Sequence, residues 1–398
     1  MEMTWPGASR TLAVAALVLR AAAWAAAGEP PPSSCVIAPD KQVPVKAGTG
    51  RTVHCGIDLG SRSVKLSVVS MEKGRPQTIR EERICKRTLG MGALVFDAKT
   101  RTAGPLPPDA VGALVSTIDE YKEVCARDGG TIVAAGATQW ARDATNVADV
   151  AARVKAATGI GFDVLSPMQE AAYSYVAGSF RRPGRIVLDA GSNSFQLSWQ
   201  EKGSATIRSI LVPYGYVRAA ANDFDPAPDY ASARAAYQQR ARAAIEQELG
   251  RLTPPSSLSR LRDLVNRGAI GPEIIAVGED GAVVPLVVRG WLRDGSGRWT
   301  ADQKSYDEVL NGHRTIDRSF GTMTAPPVNR AEVQSYLRGI GPGDFKALTG
   351  DPVRGLYGQK ALVVPALAEL LLDELRASRL VTVPQEVTTG HILTRLPE

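Results

Sequence analysis

Asp58-Leu59-Gly60-Ser61-Arg62-Ser63-Val64-Lys65-Leu66-Ser67 is written a second time, with changes, as Asp189-Ala190-Gly191-Ser192-Asn193-Ser194-Phe195-Gln196-Leu197-Ser198. Each copy follows an apolar, β-branched run that ends on the aspartate, and each passes into alternating apolar and polar residues. That pattern predicts a strand, a Gly/Ser turn and a second strand. Such a turn offers unblocked backbone N–H groups and two hydroxyls to an anion, with a carboxylate beside them that can hold a metal ion. One copy alone reads as a hairpin with a polar turn. Two copies predict two related half-domains facing a shared phosphate site.

The chain has 398 residues, 44% hydrophobic and 22% charged, which is ordinary globular composition with room for two domains. A net charge of +6 suits a polyanionic partner, and equally a modestly basic exported protein. No basic block with interleaved aromatics occurs, so nucleic acid is not an expected partner. Residues 1–27 read as a signal peptide: Arg10 supplies the positive end, Leu12 to Leu19 the apolar stretch, and Ala25-Ala26-Ala27 a small-residue cleavage site, with Ala23-Trp24-Ala25 as a second option. Arg20 and Glu29 confine the run to less than the ~20 residues a membrane span needs. The expected product is an exported protein, periplasmic or secreted, without a stable membrane span; an uncleaved anchor is the competing reading. Cys35, Cys55, Cys85 and Cys125 then have three possible disulfide connectivities, while Cys55, inside an apolar strand, also reads as a merely buried thiol.

Residues 28–50 are rich in Pro, Ser and Gly and read as a linker. Strands are expected at Val53 to Asp58, Val64 to Ser70, Thr78 to Lys86, Ile132 to Ala135 and Phe162 to Leu165. Helices are expected from Pro108 to about Cys125 and, capped by Asn146, to about Thr158. The pattern restarts at Ile186 with the repeated hairpin. It continues through a strand at Thr206 to Leu211, helices at Tyr230 to Leu249 and Ser257 to Arg267, and a strand at Glu273 to Val277. The loop Gly278-Glu279-Asp280-Gly281, an apolar helix at Leu362 to Leu375 and a closing strand at Arg379 to Val383 complete it. Residues 290–326 are weakly patterned and read as an insertion. Neither a Walker A motif nor a GxSxG elbow occurs, which removes several common enzyme classes.

Four segments occur in a telling order: GIDLGSRSVKLSVV, ATQWARDATN, SPMQEAAYSYVAG and IVLDAGSNSFQLS. In that order they resemble the exopolyphosphatase and guanosine pentaphosphate phosphohydrolase (Ppx/GppA) family of the actin-like and sugar-kinase superfamily. The resemblance implies an α/β protein of two ribonuclease-H-like domains with an interdomain cleft, here 51–168 and 169–398, the C-terminal end returning to the first. It implies a Mg²⁺-assisted phosphohydrolase acting on the terminal phosphoanhydride of polyphosphate or a related polyanion, and it is compatible with a homodimer. Position by position, Asp58 and Asp189 match metal-holding aspartates, and Gly60, Ser61, Ser63, Gly191, Ser192 and Ser194 match phosphate-holding residues. Arg62 stands where the family usually has Asn, and Ser192-Asn193 where it has more glycine. Arg142 matches an arginine facing the cleft, Glu170 the catalytic glutamate, and Tyr214-Gly215-Tyr216-Val217-Arg218 a stretch after the second hairpin.

The residue types suit the chemistry. Breaking a phosphoanhydride requires charge neutralisation on phosphoryl oxygens and a water placed in line. Backbone N–H groups, serine hydroxyls, Arg142 and Mg²⁺ supply the first, and Glu170 orients or deprotonates the water. Each also has a plainer reading: Arg142-Asp143 as a solvated pair, Glu170 as a first-turn carboxylate on a helix dipole, the aspartates as turn formers, Lys65 as an exposed strand residue. His54, His313 and His391 carry no assigned role. Gln196 stands where the family ends its second loop in Glu. It cannot act as a base, and losing a general base costs ~10² to 10⁴ in rate. The second expected function is therefore a catalytically degenerate polyanion- or nucleotide-binding protein of the same fold.

Overall fold

The computed structural model describes residues 34–37, 50–73, 75–97, 102–192, 194–291, 315–317, 322–350, 355–383 and 386–396. The expected signal peptide 1–27, most of the 28–50 linker, Asn193 and most of the 290–326 segment lie outside the described residues. The chain divides into two units. One takes the described residues of 34–37, 50–69 and 82–166, and the other those of 70–81 and 167–396.

The N-terminal sheet and its helices begin with β1 (Ser34–Ile37), β2 (Arg51–Leu59), β3 (Ser63–Glu72) and β4 (Arg75–Thr88), followed by α1 (Met91–Val95) and a small ribbon of β5 (Phe96–Asp97) and β6 (Thr102–Ala103). Then come α2 (Pro108–Arg127), β7 (Thr131–Ala137), α3 (Gln139–Asp143), α4 (Val147–Thr158) and β8 (Asp163–Val164). The sheet order is β1-β4-β3-β2-β7-β8, with β2, β7 and β8 parallel. Pro108 opens α2 at a position whose N–H needs no intrahelical partner. Val111, Leu114, Ile118, Tyr121 and Val124 then fall on one buried stripe, and the Tyr121 hydroxyl donates to the Val64 carbonyl at 3.1 Å. The fully buried Leu114 is a stake of this core; truncation to Ala at such a site costs about 2–5 kcal/mol.

The linker reading needs correction: β1 lies within it, pairing antiparallel with β4, with Cys35 directly opposite Cys85. That pair forms one disulfide, and Cys55 with Cys125 forms the other, tying β2 to the last turns of α2. No described cysteine is free, so the buried-thiol reading of Cys55 falls. With the partners 50 and 70 positions apart in sequence, chain-entropy arguments give each bridge about 4 kcal/mol. Asn146 sits at the cap of α4 without capping it by its side chain. Its amide instead bonds Leu106 N–H at 2.8 Å and Leu106 C=O at 3.0 Å, a better use of both groups than one cap bond.

The second unit runs α5 (Pro167–Ser179), β9 (Arg185–Ala190), β10 (Phe195–Gln200), β11 (Arg208–Val212) and α6 (Tyr216–Ala219), which continues into a π turn at Ala220–Phe224. After α7 (Tyr230–Gly250), α8 (Leu258–Asn266), β12 (Glu273–Val277) and α9 (Gly278–Val288) come β13 (Thr315–Asp317) and β14 (Thr322–Asn329). α10 (Arg330–Arg338), α11 (Pro342–Gly350), α12 (Gly355–Glu374), β15 (Arg379–Val383) and α13 (Val387–Arg395) finish it. Its sheet order is β11-β10-β9-β12-β15-β14-β13. β9, β12 and β15 are parallel, and β10, β11 and β14 antiparallel to their neighbours.

Two further readings are corrected here. Gly278-Glu279-Asp280-Gly281 is the first turn of α9, because the apolar run that follows is helical from its outset. Arg379–Val383 is not the last element: α13 follows and packs along α5, with His391 stacked on Tyr173 at 4.6 Å between ring centroids.

Candidate functional site

The two halves of the repeat form the same turn. Gly60 N–H donates to the Ser63 carbonyl at 3.1 Å, and Gly191 N–H to the Ser194 carbonyl at 2.9 Å. A Cβ on Gly60 would stand 2.9 Å from that carbonyl oxygen, and one on Gly191 2.8 Å, so both turns need glycine for space. The glycine N–H groups therefore close the turns and are not offered to an anion, contrary to part of the sequence reading. The backbone N–H groups of Ser61, Arg62 and Ser192 make no hydrogen bond among the described residues. Unengaged N–H groups in such turns are of the kind that can bind an anion.

Each turn is held from behind by the start of a short helix reached through a glycine. In the first unit Gly90 N–H donates to the Arg62 carbonyl at 2.8 Å and Gly92 N–H to the Ser61 carbonyl at 2.7 Å. In the second, Tyr216 N–H donates to the Gly191 carbonyl at 3.2 Å and Val217 N–H to the Ser192 carbonyl at 2.9 Å. Leu89-Gly90-Met91-Gly92 is thus the counterpart of Tyr214-Gly215-Tyr216-Val217. The sequences hide this, because only the glycine preceding each helix is shared.

Around the first turn, the Trp140 amide donates to Ser61 Oγ at 3.1 Å, and its indole N–H to the Leu59 carbonyl at 2.6 Å. α3 is thereby docked on the turn, bringing Arg142 into the same unit. Arg142 is half-buried; its guanidinium bonds the Leu165 carbonyl and, at 2.9 Å, Gln139 Oε1. It is a braced side chain, not a solvated one. Arg62 projects into solvent with no side-chain partner among the described residues, whereas Ser63 is buried. Lys65 is half-buried, not exposed, because β3 is covered on both faces.

Around the second turn the contacts converge on Asp189. Gln196 lies directly opposite Asp189 across the β9–β10 ladder and is 8% exposed. Ser174, on α5, donates from its hydroxyl to Asp189 Oδ2. Glu170 falls inside the first helical turn and is half-buried. Residues four apart on a helix share a face, so Glu170 stands one turn from the side chain that touches Asp189. Ser198 Oγ donates to the Ala171 carbonyl at 3.1 Å and shares a 2.8 Å bond with Ser209 Oγ. Hydroxyls thus pin α5 across the hairpin at two points. The sequence reading missed Ser174, Ser198 and Ser209; polar residues at alternating strand positions and at i+4 from Glu170 were the available signal.

Behind α6, the Tyr214 hydroxyl bonds Asp223 Oδ2, and Arg240 reaches Asp223 Oδ1 at 3.0 Å. Burial pushes the Asp223 carboxyl above the ordinary carboxylate range, against Tyr214 and Arg240, which pull it down. Burial and the Asp223 partner push the Tyr214 phenol up to about 12. This group braces the helix start that supports the second turn.

In both units the five central strands take the same spatial order, third-second-first-fourth-fifth: β4-β3-β2-β7-β8 and β11-β10-β9-β12-β15. A duplicated α/β sheet of this order, with a Gly/Ser turn between the first two strands of each copy, is the ribonuclease-H-like architecture of actin-like proteins. Residues 82–255 match the sequence profile of the Ppx/GppA phosphatase family. The fold resembles that of the Aquifex aeolicus Ppx/GppA phosphatase (type II variant), with a TM-score of 0.60 at 18% identity, covering 87% of this chain and 100% of that one. It also resembles an exopolyphosphatase from Cytophaga hutchinsonii, with a TM-score of 0.54 at 14% identity over 85% of this chain and 96% of that one. Exopolyphosphatase 1 of Mycobacterium leprae is 34% identical over 148 residues, 36% of this chain and 41% of that protein. Its Mycobacterium tuberculosis counterpart is 32% identical over 148 residues, 36% of this chain and 40% of that protein. The match thus spans about two fifths of the length of these curated relatives. In sequence over its middle and in fold over most of its length, the chain resembles the Ppx/GppA phosphatases.

Proposed function

We propose that the chain is a phosphohydrolase that releases the terminal phosphate of polyphosphate or a related phosphoanhydride polyanion. The observation that carries this reading is the pair of turns closed by the same glycine-to-serine backbone bond, each with an aspartate at its base. Ser61, Arg62 and Ser63 in the first unit, and Ser192 and Ser194 in the second, offer amides and hydroxyls to phosphoryl oxygens, with Arg142 and Arg62 supplying positive charge in the first. Glu170 orients the attacking water and takes its proton. Its placement one helical turn from the Ser174–Asp189 contact supports that role.

Mg²⁺ is the expected cofactor. No group of three or more His, Cys, Asp or Glu side chains that could hold a metal occurs among the described residues. Mg²⁺ in phosphoryl-transfer sites is held by one or two carboxylates together with substrate phosphates and waters, and a single aspartate beside each turn fits that mode. Asp58 and Asp189 would hold it. When bound, it neutralises charge on the phosphoryl oxygens.

One observation favours a second reading, a non-catalytic polyanion-binding protein of the same fold: the residue facing Asp189 is a neutral amide, Gln196. The test is phosphate release from long-chain polyphosphate with Mg²⁺ by the purified chain, beside Glu170→Gln. Release by the first and its loss in the second are expected. Retained binding with no release by the unaltered chain would leave the second reading standing instead. We further propose export to an oxidising compartment, supported by the two disulfides. No helix of the described residues is long and apolar enough to cross a membrane.

A further inference from the structure

We propose that Ser174 is a positioning residue: it fixes the Asp189 carboxylate relative to the helix that carries Glu170. This rests on the phosphate-site reading above. Ser174 is 1% exposed and sits on α5, where its hydroxyl donates to Asp189 Oδ2. A hydroxyl buried in a helix ordinarily satisfies itself on a carbonyl one turn back; this one reaches across to the neighbouring strand. A bond to an ionised acceptor is the stronger kind, and it restrains rotation of the carboxylate about its last torsion. Orientation matters more at Asp189 than in a site with two acids, because the facing residue on β10 is the uncharged Gln196. The hairpin therefore offers a single carboxylate at this point of the ladder, and Ser174 sets which way its oxygens point.

The same contact ties the carboxylate to Glu170. Helix geometry puts residues 170 and 174 about 6 Å apart along the axis on one face. The helix cannot slide along the hairpin without breaking the Ser198 bond to the Ala171 carbonyl. Ser174 thus joins the metal-side carboxylate and the water-side carboxylate into one rigid arrangement within the second unit. Partners that orient a ligand in this way typically change metal affinity or activity by about 10–100-fold when removed.

The experiment is calorimetric titration of the full disulfide-bonded chain with tripolyphosphate, in Mg²⁺ and in EDTA. Ser174→Ala, Asp189→Asn and the double variant are compared with the unaltered chain. Ser174→Ala is expected to weaken binding about tenfold in Mg²⁺ and to leave the weaker EDTA binding unchanged. In the Asp189→Asn background, Ser174→Ala is expected to add less than about twofold, since it acts through a carboxylate already gone. A Ser174→Ala loss that multiplies undiminished onto Asp189→Asn, or one of equal size in EDTA, would show a packing role and overturn the inference. So would a Ser174→Ala variant indistinguishable from the unaltered chain. If the unaltered chain binds no tripolyphosphate in Mg²⁺, the phosphate-site reading itself falls and takes this inference with it.

Discussion

The first and second turns share their closing bond, their crowded glycine and their supporting helix start, yet they are braced by different means. The first unit braces its sheet and α2 with two disulfides and docks Trp140 on its turn through Leu59 and Ser61. The second holds its turn with buried hydroxyls and acids: Ser174 on Asp189, Ser198 on Ala171, Tyr214 on Asp223. The first turn presents an exposed arginine, Arg62, and the second a carboxylate, Asp189, held by Ser174 opposite Gln196.

The largest expected effect follows from that asymmetry. Glu170→Gln should lower phosphate release by about 10²–10⁴-fold with tripolyphosphate affinity kept within a few-fold. Steady-state kinetics beside calorimetry make the check. A variant that loses affinity and keeps rate would move Glu170 out of the chemistry.

Next comes the covalent frame. Replacing Cys55 and Cys125 together by Ala should cost about 2–4 kcal/mol, and only in the first unit. Differential scanning calorimetry should then show a transition moved down in temperature while the second unit's transition stays. A uniform shift of both would mean that the two units unfold as one.

Gln196→Glu sharpens the comparison more gently. It sets a second carboxylate directly opposite Asp189. Like charges facing across a ladder are destabilising. A lower melting temperature in EDTA, restored by Mg²⁺ with tripolyphosphate, is expected. No dependence on the metal would argue against a cation at Asp189.

The smallest effect is alkaline. Burial raises both Tyr175 and Tyr214 to about 12 in the folded chain, against 10.0 for the ordinary phenol. The folded state favours the protonated phenols, so their contribution is complete below pH 10 and is lost as pH rises towards 12. Melting temperatures measured from pH 9 to 12 should fall less steeply for Tyr214→Phe. An unchanged slope would remove Tyr214 from that balance.

The sequence carried the hairpins well because a strand–turn–strand writes itself locally: the apolar run, the Gly/Ser turn and the period of two are all within ten residues. Cys35–Cys85 and Cys55–Cys125 could not be chosen from three pairings by counting, since they depend on β1 lying beside β4 and on α2 crossing β2. β1 was lost in a Pro-rich stretch, where composition outweighed a four-residue strand. Arg142, Glu170 and the two aspartates are proposed from motif order. Their local neighbours were not, because Ser174 and Ser198 meet their partners only once α5 is laid on the sheet. The equivalence of Leu89-Gly90-Met91-Gly92 with Tyr214-Gly215-Tyr216-Val217 resides in backbone bonds, which side-chain identity does not record.

The two turns are expected to act as matched phosphate-holding elements. Gly60→Ala and Gly191→Ala each drive a methyl against a backbone carbonyl, at 2.9 and 2.8 Å. Titration of each variant with tripolyphosphate in Mg²⁺ tests the claim most directly. Both should weaken binding by more than about tenfold while retaining the folded chain's far-ultraviolet signal. Undiminished affinity in either variant would contradict it.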